Sequence, residues 1–178
     1  MNEVYQPAED SHLLSEVLKN EKIFPTMKIL DIGSGTGIQT QTILDSGALP
    51  KNITLTDINP KAIKFLKKKF SKSKVVNSNL FQNLKGKFDL IIFNPPYLPE
   101  DSREPKDSKT ATTGGKKGSE IINKFLTQAK KYLTNNGKIL LLTSSLTRGI
   151  NWLDYKKKFV AKKKLFYEEL RVHVLKIK

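Results

Sequence analysis

The amino-acid sequence predicts an α/β fold: a doubly wound, mostly parallel sheet with helices on both faces and a C-terminal antiparallel hairpin. Short apolar runs bounded by turn residues recur along the chain, and segments of helical periodicity separate them. Strands that are apolar along their whole length are typical of parallel sheets covered on both faces. Two β-like runs at 160–167 and 171–177 are only a few residues apart, which favours antiparallel pairing. We expect a single domain over residues 1–178.

Each element follows from a local pattern. The predicted parallel strands are the apolar runs 27–32, 53–57, 74–77, 88–93 and 138–143. The predicted helices are the segments 36–44, 60–70 and 119–133, and apolar side chains recur on one face of the last two. Asn135-Asn136-Gly137 marks the end of the last of these helices, and a further helix is expected around 151–159. His173 alternates with two valines in the tail, so we expect it to point to solvent.

The composition excludes several classes of site. The 178 residues contain no Cys and only two His, so disulfides, thiolate metal sites and a cysteine nucleophile are excluded, and we expect no metal ligands. No apolar run is long enough to span a membrane, and the N-terminus lacks a secretory signal, so we expect a cytoplasmic chain. The net charge of +15 favours an anionic partner such as nucleic acid, although only three of the 32 basic residues are Arg.

A glycine-rich turn, Asp31-Ile32-Gly33-Ser34-Gly35-Thr36-Gly37, follows the first predicted strand. Glycines let the backbone turn sharply and approach a ligand, although a plain strand-to-helix turn has the same pattern. Asp57 ends the second strand, where a carboxylate can accept the hydroxyl hydrogens of a ribose or cap the next helix. Because Asn59 can serve as that cap, Asp57 is left for a ligand. Turn and carboxylate together predict a nucleoside-containing cofactor.

Asn94-Pro95-Pro96-Tyr97 follows the fourth strand, at the same sheet edge. Two consecutive prolines stiffen the segment and extend the residue before them. The Asn94 carboxamide and the Pro95 carbonyl are then fixed acceptors for the two hydrogens of a planar amino group, and Tyr97 offers a ring for stacking. The alternative is a rigid polar turn. The long irregular stretch 98–118 follows this motif, at the edge where such folds bind ligands.

These motifs resemble those of class I S-adenosylmethionine-dependent amino-group methyltransferases, which have a Rossmann-like sheet and a catalytic (D/N)PP(Y/F/W) tetrapeptide. The opening Tyr5-Gln6-Pro7-Ala8-Glu9-Asp10-Ser11-His12-Leu13-Leu14 is similar to the Y-x-P-A-E-D-(S/T)-x-L-L start of HemK/PrmC-like enzymes. It is most similar to the archaeal and eukaryotic release-factor glutamine methyltransferase catalytic subunits. Residues 56–60, 93–97 and 114–118 are similar to that group as well.

The resemblance implies S-adenosylmethionine as the cofactor. Ser11, Gly33 and Gly35 would hold its methionine part, Asp31 would face its ammonium group, and Asp57 its ribose. Asn79 and Leu80 would border the adenine; the usual residue at position 79 is Asp, so we expect an altered affinity. The cofactor-binding residues implied are Ser11, Asp31, Gly33, Gly35, Asp57, Ile58, Asn79, Leu80 and Asn94, and the catalytic ones are Asn94, Pro95, Pro96 and Tyr97.

The resemblance also implies a protein substrate, a translation release factor whose glutamine amide is methylated. The helical N-terminal domain of the bacterial enzymes is not expected here. A small zinc-binding activator subunit, docked by strand pairing and apolar burial, is a partner in the resembling group. Residues alone leave other acceptors open, namely adenine N6 or guanine N2 of RNA or DNA, or a protein lysine. A non-catalytic binding subunit and a nicotinamide-binding protein are further alternatives, against which the NPPY motif argues.

Overall fold

The computed structural model describes residues 4, 6–101, 112–152 and 154–178. Tyr5 of the opening motif, residues 102–111 of the long irregular stretch, and Leu153 of the expected fourth helix lie outside the described residues.

Most of the strands belong to one sheet. In chain order the strands are β1 (Ile29–Ile32), β2 (Ile53–Asp57), β3 (Lys74–Asn77), β4 (Phe88–Phe93), β5 (Leu98–Pro99), β6 (Thr113–Gly115), β7 (Leu133–Ser144), β8 (Tyr155–Lys164) and β9 (Glu169–Ile177). The order in the seven-stranded sheet is β3-β2-β1-β4-β7-β9-β8, and β5 pairs with β6 separately. β9 is antiparallel to both of its neighbours, while the other pairs of the large sheet are parallel. The predicted fold class is therefore confirmed.

Four helices cover the sheet in the described part of the chain: α1 (Glu9–Lys19), α2 (Ile38–Asp45), α3 (Pro60–Lys69) and α4 (Glu120–Ala129). Short 3₁₀ turns occupy Pro50–Asn52 and Lys130–Tyr132. α3 begins as predicted, because the Asn59 side chain accepts a hydrogen bond from the Lys61 N–H at 2.9 Å and Pro60 occupies the first turn.

The core has one layer on each face of the sheet. Leu14 and Leu18 of α1, Ile43 of α2 and Leu66 of α3 pack in one buried cluster. On the opposite face, α4 contributes Ile122, Phe125, Leu126 and Ala129 to the other cluster. Strands β1 and β2 are buried along their whole length between these layers, with their polar residues included.

The order of the strands creates a crevice. From β1 the chain builds outward through β2 and β3 on one side, and β4 and β7 lie on the other side. Ile32 pairs with Phe93, so β1 and β4 end together at the carboxyl edge. The segments that follow them must diverge there, and such switch points are where α/β sheets bind ligands.

The carboxyl-terminal part differs from the sequence expectation in two elements. The helix expected around 151–159 is wrong, because residues from Tyr155 onward form β8, where pairing with β9 outweighs local preference. The helix expected over 119–133 ends at Ala129. Asn135-Asn136-Gly137 do not terminate it but lie within β7. They form an irregularity there, since Leu133 pairs with Phe88 and Lys138 already pairs with Leu90.

The expectation that His173 points to solvent is also wrong. β9 pairs with a strand on each side, and His173 is only 6% exposed. Its Nε2 lies 3.2 Å from Thr143 Oγ1, and the rings of Trp152 and Phe159 pack beside it. Burial lowers the pKa of His173 to about 4, and the nearby charges of Lys157 and Arg171 act in the same direction.

Within the described ranges, no helix has the length and apolar character that crossing a membrane requires. The same ranges hold no group of three or more His, Cys, Asp or Glu side chains arranged to ligate a metal.

Replacing His173 by Gln should remove part of the acid sensitivity of the fold. In the unfolded chain the imidazole binds a proton near pH 6.5, whereas the folded protein holds its pKa at about 4. Between these values only the unfolded state gains the proton, so the free energy of unfolding falls as the pH falls. Between neutral pH and pH 4, the wild type should lose about 2 kcal/mol more than His173→Gln, measured by urea denaturation.

His12→Gln is the matched control, since His12 is exposed on α1. Its loss of stability on acidification should equal that of the wild type within about 0.5 kcal/mol. If His173→Gln lost as much stability as the wild type on acidification, the conclusion that His173 is buried in its neutral form would be contradicted.

Candidate active site

A cavity of about 530 Å³ lies at the carboxyl edge of the sheet, in the crevice between β1 and β4. Its size is in the range of small-molecule and cofactor sites. The ends of three strands, the loop after β3 and the start of α1 form its walls. It brings together these residues singled out in the sequence: Ser11, Asp31, Gly33, Gly35, Asp57, Ile58, Asn79, Leu80, Asn94, Pro95 and Pro96.

The glycine-rich turn is fastened to β2. The Ser34 N–H donates to the Thr56 carbonyl at 2.8 Å, and the Gly35 N–H donates to Asp57 Oδ2 at 2.9 Å. Gly37 has φ +76°, and a Cβ atom there would lie 2.2 Å from Phe70 Cε2. Glycine is therefore required at position 37 both by the backbone conformation and by the close approach of α2 to Phe70.

Asp57 is held in one orientation by backbone groups. Oδ1 accepts a hydrogen bond from the Asn59 N–H at 2.8 Å while Oδ2 accepts from Gly35. Burial raises the pKa of Asp57, and these two N–H groups oppose that shift. Asn59 caps α3 as expected, but both carboxylate oxygens of Asp57 already accept a backbone hydrogen bond, so a ligand would share them. The Asp57 carboxylate, fixed by these two hydrogen bonds, lines the cavity.

Asp31 lies deeper in the wall and is 2% exposed. Its Oδ2 accepts a hydrogen bond from Thr40 Oγ1 at 2.7 Å. Burial raises the pKa of Asp31 to about 7, although the hydrogen bond from Thr40 opposes the shift. A buried carboxyl group of this kind becomes fully ionised when a cation lies beside it, so the geometry suits a positively charged group of a ligand.

Apolar side chains line the part of the cavity between β2 and the loop after β3. Ile58 is 55% exposed beside the cavity, whereas Leu80 is buried. Leu80 has φ +52°, a left-handed conformation that is uncommon for a leucine, and Ser78 Oγ donates to its carbonyl at 2.9 Å. The side chains of Ile58 and Leu80 thus offer apolar surface suited to a flat ring, with Asn79 at its rim.

Asn94 has one half of its carboxamide fixed and the other half open. Nδ2 donates to Asp10 Oδ2 at 3.1 Å and to Ser11 Oγ at 3.4 Å. Because a carboxylate can only accept, the nitrogen faces Asp10 and the oxygen faces away. Oδ1 is buried and accepts no hydrogen bond from any residue that the structure describes. Leaving a buried acceptor unpaired costs about 1–3 kcal/mol, so this atom suits a hydrogen-bond donor on a ligand.

The segment after Asn94 is in contact with residues 114–118 and with Thr147. A Cβ atom on Gly114 would lie 2.6 Å from the Pro96 carbonyl oxygen, and one on Gly118 would lie 2.3 Å from that of Tyr97. The same Tyr97 carbonyl accepts a hydrogen bond from Thr147 Oγ1 at 2.8 Å. The glycines of 114–118 therefore let that segment pack against the backbone of the diproline motif.

Tyr97 is not among the described residues that line the cavity. Its hydroxyl lies 3.4 Å from Asp10 Oδ2, and its ring packs against both core clusters. In this structure the side chain supports Asp10, and its expected role in stacking against the acceptor stays a prediction.

Two residues of the site were not assigned from the sequence. Asp10, a residue of the opening motif, lines the cavity and accepts a hydrogen bond from Asn94. Gln39 donates to the Ser11 carbonyl at 2.9 Å and accepts from Ser15 Oγ at 3.0 Å, so it joins α2 to α1. The sequence feature that could have indicated a role for Gln39 is its position as a polar residue in the first helical turn after the glycines.

Comparison with known sequences gives the family. Residues 7–167 match the model of the methyltransferase small domain. MJ0928 of Methanocaldococcus jannaschii, named as a candidate protein N5-glutamine methyltransferase, is 41% identical over 96% of this chain and 90% of its own length. Methyltransferase HEMK2 of Mus musculus is 30% identical over 79% of this chain and 72% of its own length.

Comparison with solved structures agrees. The E. cuniculi Mtq2–Trm112 complex, described as responsible for methylation of the eRF1 translation termination factor, matches with a TM-score of 0.76 and 25% identity over 100% of both chains. The resemblance drawn from the sequence motifs is therefore confirmed. This chain belongs to the methyltransferase small domain family and is a methyltransferase.

Proposed function

We propose that this enzyme transfers a methyl group from S-adenosylmethionine to the side-chain amide nitrogen of a glutamine in a translation release factor. The observation that carries the proposal is the buried Asn94 Oδ1, an acceptor without a partner among the described residues, in the wall of the cavity. The name of MJ0928 and the description of the Mtq2–Trm112 complex support a glutamine in a termination factor as the acceptor.

The lining residues fit the cofactor part by part. Asp31 suits the ammonium group, because its buried carboxyl group gains most from a neighbouring cation. Asp57 suits the ribose hydroxyls, because its carboxylate is already oriented by two backbone N–H groups. Ile58 and Leu80 offer apolar surface for the adenine. When bound, S-adenosylmethionine supplies a methyl group on a positively charged sulfur.

The chain's own contribution to the reaction is orientation. A glutamine amide nitrogen is a weak nucleophile because its lone pair is delocalised into the carbonyl. Asn94 Oδ1 and the Pro95 carbonyl can accept the two amide hydrogens, which turns the nitrogen lone pair toward the methyl group. Alignment of reacting groups contributes about 7–11 kcal/mol in favourable cases, and the acceptors also stabilise the charge that develops on nitrogen. Asn94 therefore acts as an orienting acceptor, and the proton leaves to water.

A small zinc-binding activator subunit is part of the proposal, supported by the Mtq2–Trm112 complex. Within the described sheet, β3 and β8 are the two edge strands. Lysines protect an edge against pairing with another chain, and β8 carries six of them. β3 carries the half-buried Val75 and Val76 instead, so its edge is better suited to a partner strand.

The direct test offers radiolabelled S-adenosylmethionine to a purified release factor and, in parallel, to total RNA, with and without an added activator subunit. We expect label in the factor, located on one glutamine by mass spectrometry. Since the acceptor is a component of translation, we place the enzyme in the cytoplasm. Label in RNA alone would overturn the proposal in favour of the nucleobase acceptors that the net charge of +15 suggests.

Replacing Asn94 by Ala should abolish methyl transfer while leaving the cofactor in place. The variant removes the acceptor that orients the amide, so turnover should fall by about a hundredfold or more. Affinity for S-adenosylmethionine, measured by calorimetry, should stay within about tenfold, because Asn94 makes up only part of the wall.

Asn79→Ala is the matched control. Asn79 lies at the rim of the cavity, beside the expected adenine site. This variant should weaken cofactor affinity and keep turnover near the wild-type value at saturating cofactor. Asn94→Ala with undiminished turnover would contradict the role given to Asn94.

Affinity for S-adenosylmethionine should fall as the pH drops below 7. The pKa of Asp31 is raised to about 7, so at pH 6 most of the free enzyme carries a neutral carboxyl group that does not pair with the ammonium. From about pH 7.5 to about pH 6, the dissociation constant should rise about five- to tenfold, measured by calorimetry. Asp31→Asn should bind more weakly at both values and lose this dependence. A dependence that persisted in Asp31→Asn would contradict the assignment.

A further inference from the structure

The turn between β8 and β9 lies at the same edge of the sheet as the cavity. β9 is antiparallel to β7, and Leu170 near its start pairs with Ser144 at the end of β7. β8 is in turn antiparallel to β9, so it runs in the same direction as β7. Residues 165–168, called the hairpin tip below, therefore project from the carboxyl edge.

The backbone of the hairpin tip is fixed. The Leu165 N–H donates to the Glu168 carbonyl at 2.8 Å, and Leu165 packs against the core cluster of α1. Ser144 Oγ donates to the Glu168 carboxylate, and the Glu169 N–H donates to Ser145 Oγ at 2.9 Å. The tip thus presents its remaining side chains in a preformed arrangement.

Those side chains are two large aromatic ones. Phe166 is 89% exposed and Tyr167 is 85% exposed, and their ring centroids are 4.6 Å apart in an edge-to-face arrangement. Single apolar residues on a surface need no explanation, but an adjacent pair on a rigid tip forms a continuous apolar patch. Aromatic residues are enriched at protein interfaces, where they often act as buried anchors, and a preformed anchor loses little entropy on binding.

The tip is connected to the residues that hold the diproline motif. Lys163, just before it, forms an ion pair with Glu9. Glu9 adjoins Asp10, which accepts a hydrogen bond from Asn94. On the other side, the segment after β7 that binds the tip also provides Thr147, whose hydroxyl donates to the Tyr97 carbonyl. A molecule seated on the tip would therefore lie beside the candidate active site.

The hairpin is also strongly basic. Residues 155–178 contain nine Lys or Arg and two Glu, a net charge of +7 out of +15 for the whole chain. Lys156, Lys158 and Lys164 of β8 are exposed. Such a field attracts an acidic partner and accelerates its association.

We propose that the hairpin tip is a docking site for the methyl-accepting protein, in which Phe166 and Tyr167 pack against apolar side chains of an acidic segment. This inference rests on the proposed function and adds the surface that recognises the folded substrate. The cavity then binds the cofactor and the glutamine side chain, while the tip holds the protein that carries the glutamine.

The test compares an intact release factor with a short synthetic peptide containing its methylated glutamine. The double variant Phe166→Ala/Tyr167→Ala should raise KM for the intact factor about tenfold and leave kcat within about twofold. For the peptide, which does not reach the tip, kcat/KM should equal that of the wild type. Raising the salt concentration should increase KM for the intact factor more than for the peptide, since the attraction is electrostatic.

Phe24→Ala is the matched control. Phe24 is 51% exposed and lies beside Lys22, but it precedes β1 and so belongs to the opposite edge of the sheet. It should leave KM for both substrates unchanged. Thermal unfolding of both variants should match the wild type, because the replaced rings are exposed.

The outcomes separate the two proposals. If the wild type methylates no glutamine of the factor or the peptide, the proposed function fails. If the wild type methylates the factor and the double variant has an unchanged KM, the docking inference fails. An equal fall in kcat/KM for the factor and for the peptide would also overturn the docking inference. So would a double variant that binds single-stranded RNA more weakly, or self-associates less, while its KM for the factor is unchanged.

Discussion

The hydrogen bond from Asn94 Nδ2 to the Asp10 carboxylate determines what the candidate active site can do. A carboxamide has a donor end and an acceptor end, and either could face the cavity. Asp10 can only accept, so it binds the nitrogen and leaves Oδ1 for the substrate. Asp10 itself is fixed at the start of α1, and α1 is fixed to α2 through Gln39. The packing of two helices thus sets the direction of one oxygen atom.

Several groups at this cavity are unfavourable unless a ligand binds to them. Asp31 is a buried acid with a raised pKa, Leu80 has a left-handed backbone conformation, and Asn94 Oδ1 is a buried acceptor. Each reduces stability, and such costs persist where a function requires them. His173 Nδ1 is likewise buried without a partner in the described part of the chain, but aromatic rings pack around it and it does not line the cavity. The co-occurrence of unfavourable groups around one space, and not any single group, marks the ligand site.

Much of the sheet could be predicted from the sequence because most of its parallel strands are short segments rich in apolar residues. The segments 53–57, 74–77 and 88–93 are strands with the predicted bounds. The carboxyl-terminal third was harder, because its strands are defined by pairing. β8 is rich in lysine and has only three consecutive apolar residues, so its conformation depends on pairing with β9. The same holds for His173, whose alternation with valines is typical of a strand with one exposed face. The rings of Trp152 and Phe159, which lie outside β9, pack beside His173 and cover it.

The site was predictable to the extent that it is made of backbone turns and strand ends. Gly33, Gly35 and Asp57 are found where the strand pattern places them, at the carboxyl edge. The contacts that connect distant segments could not be predicted in this way, since 84 residues separate Asp10 from Asn94 in sequence. The hairpin tip illustrates the same limit: Phe166 and Tyr167 follow a basic strand, and nothing local relates them to the diproline motif. Strand order alone brings the two to one edge, because β8 runs parallel to β7. In this protein most site residues lie at the end of one strand or just after it and can be predicted from that strand's sequence. The placement of these residues beside the proposed docking surface follows from the order and direction of the strands.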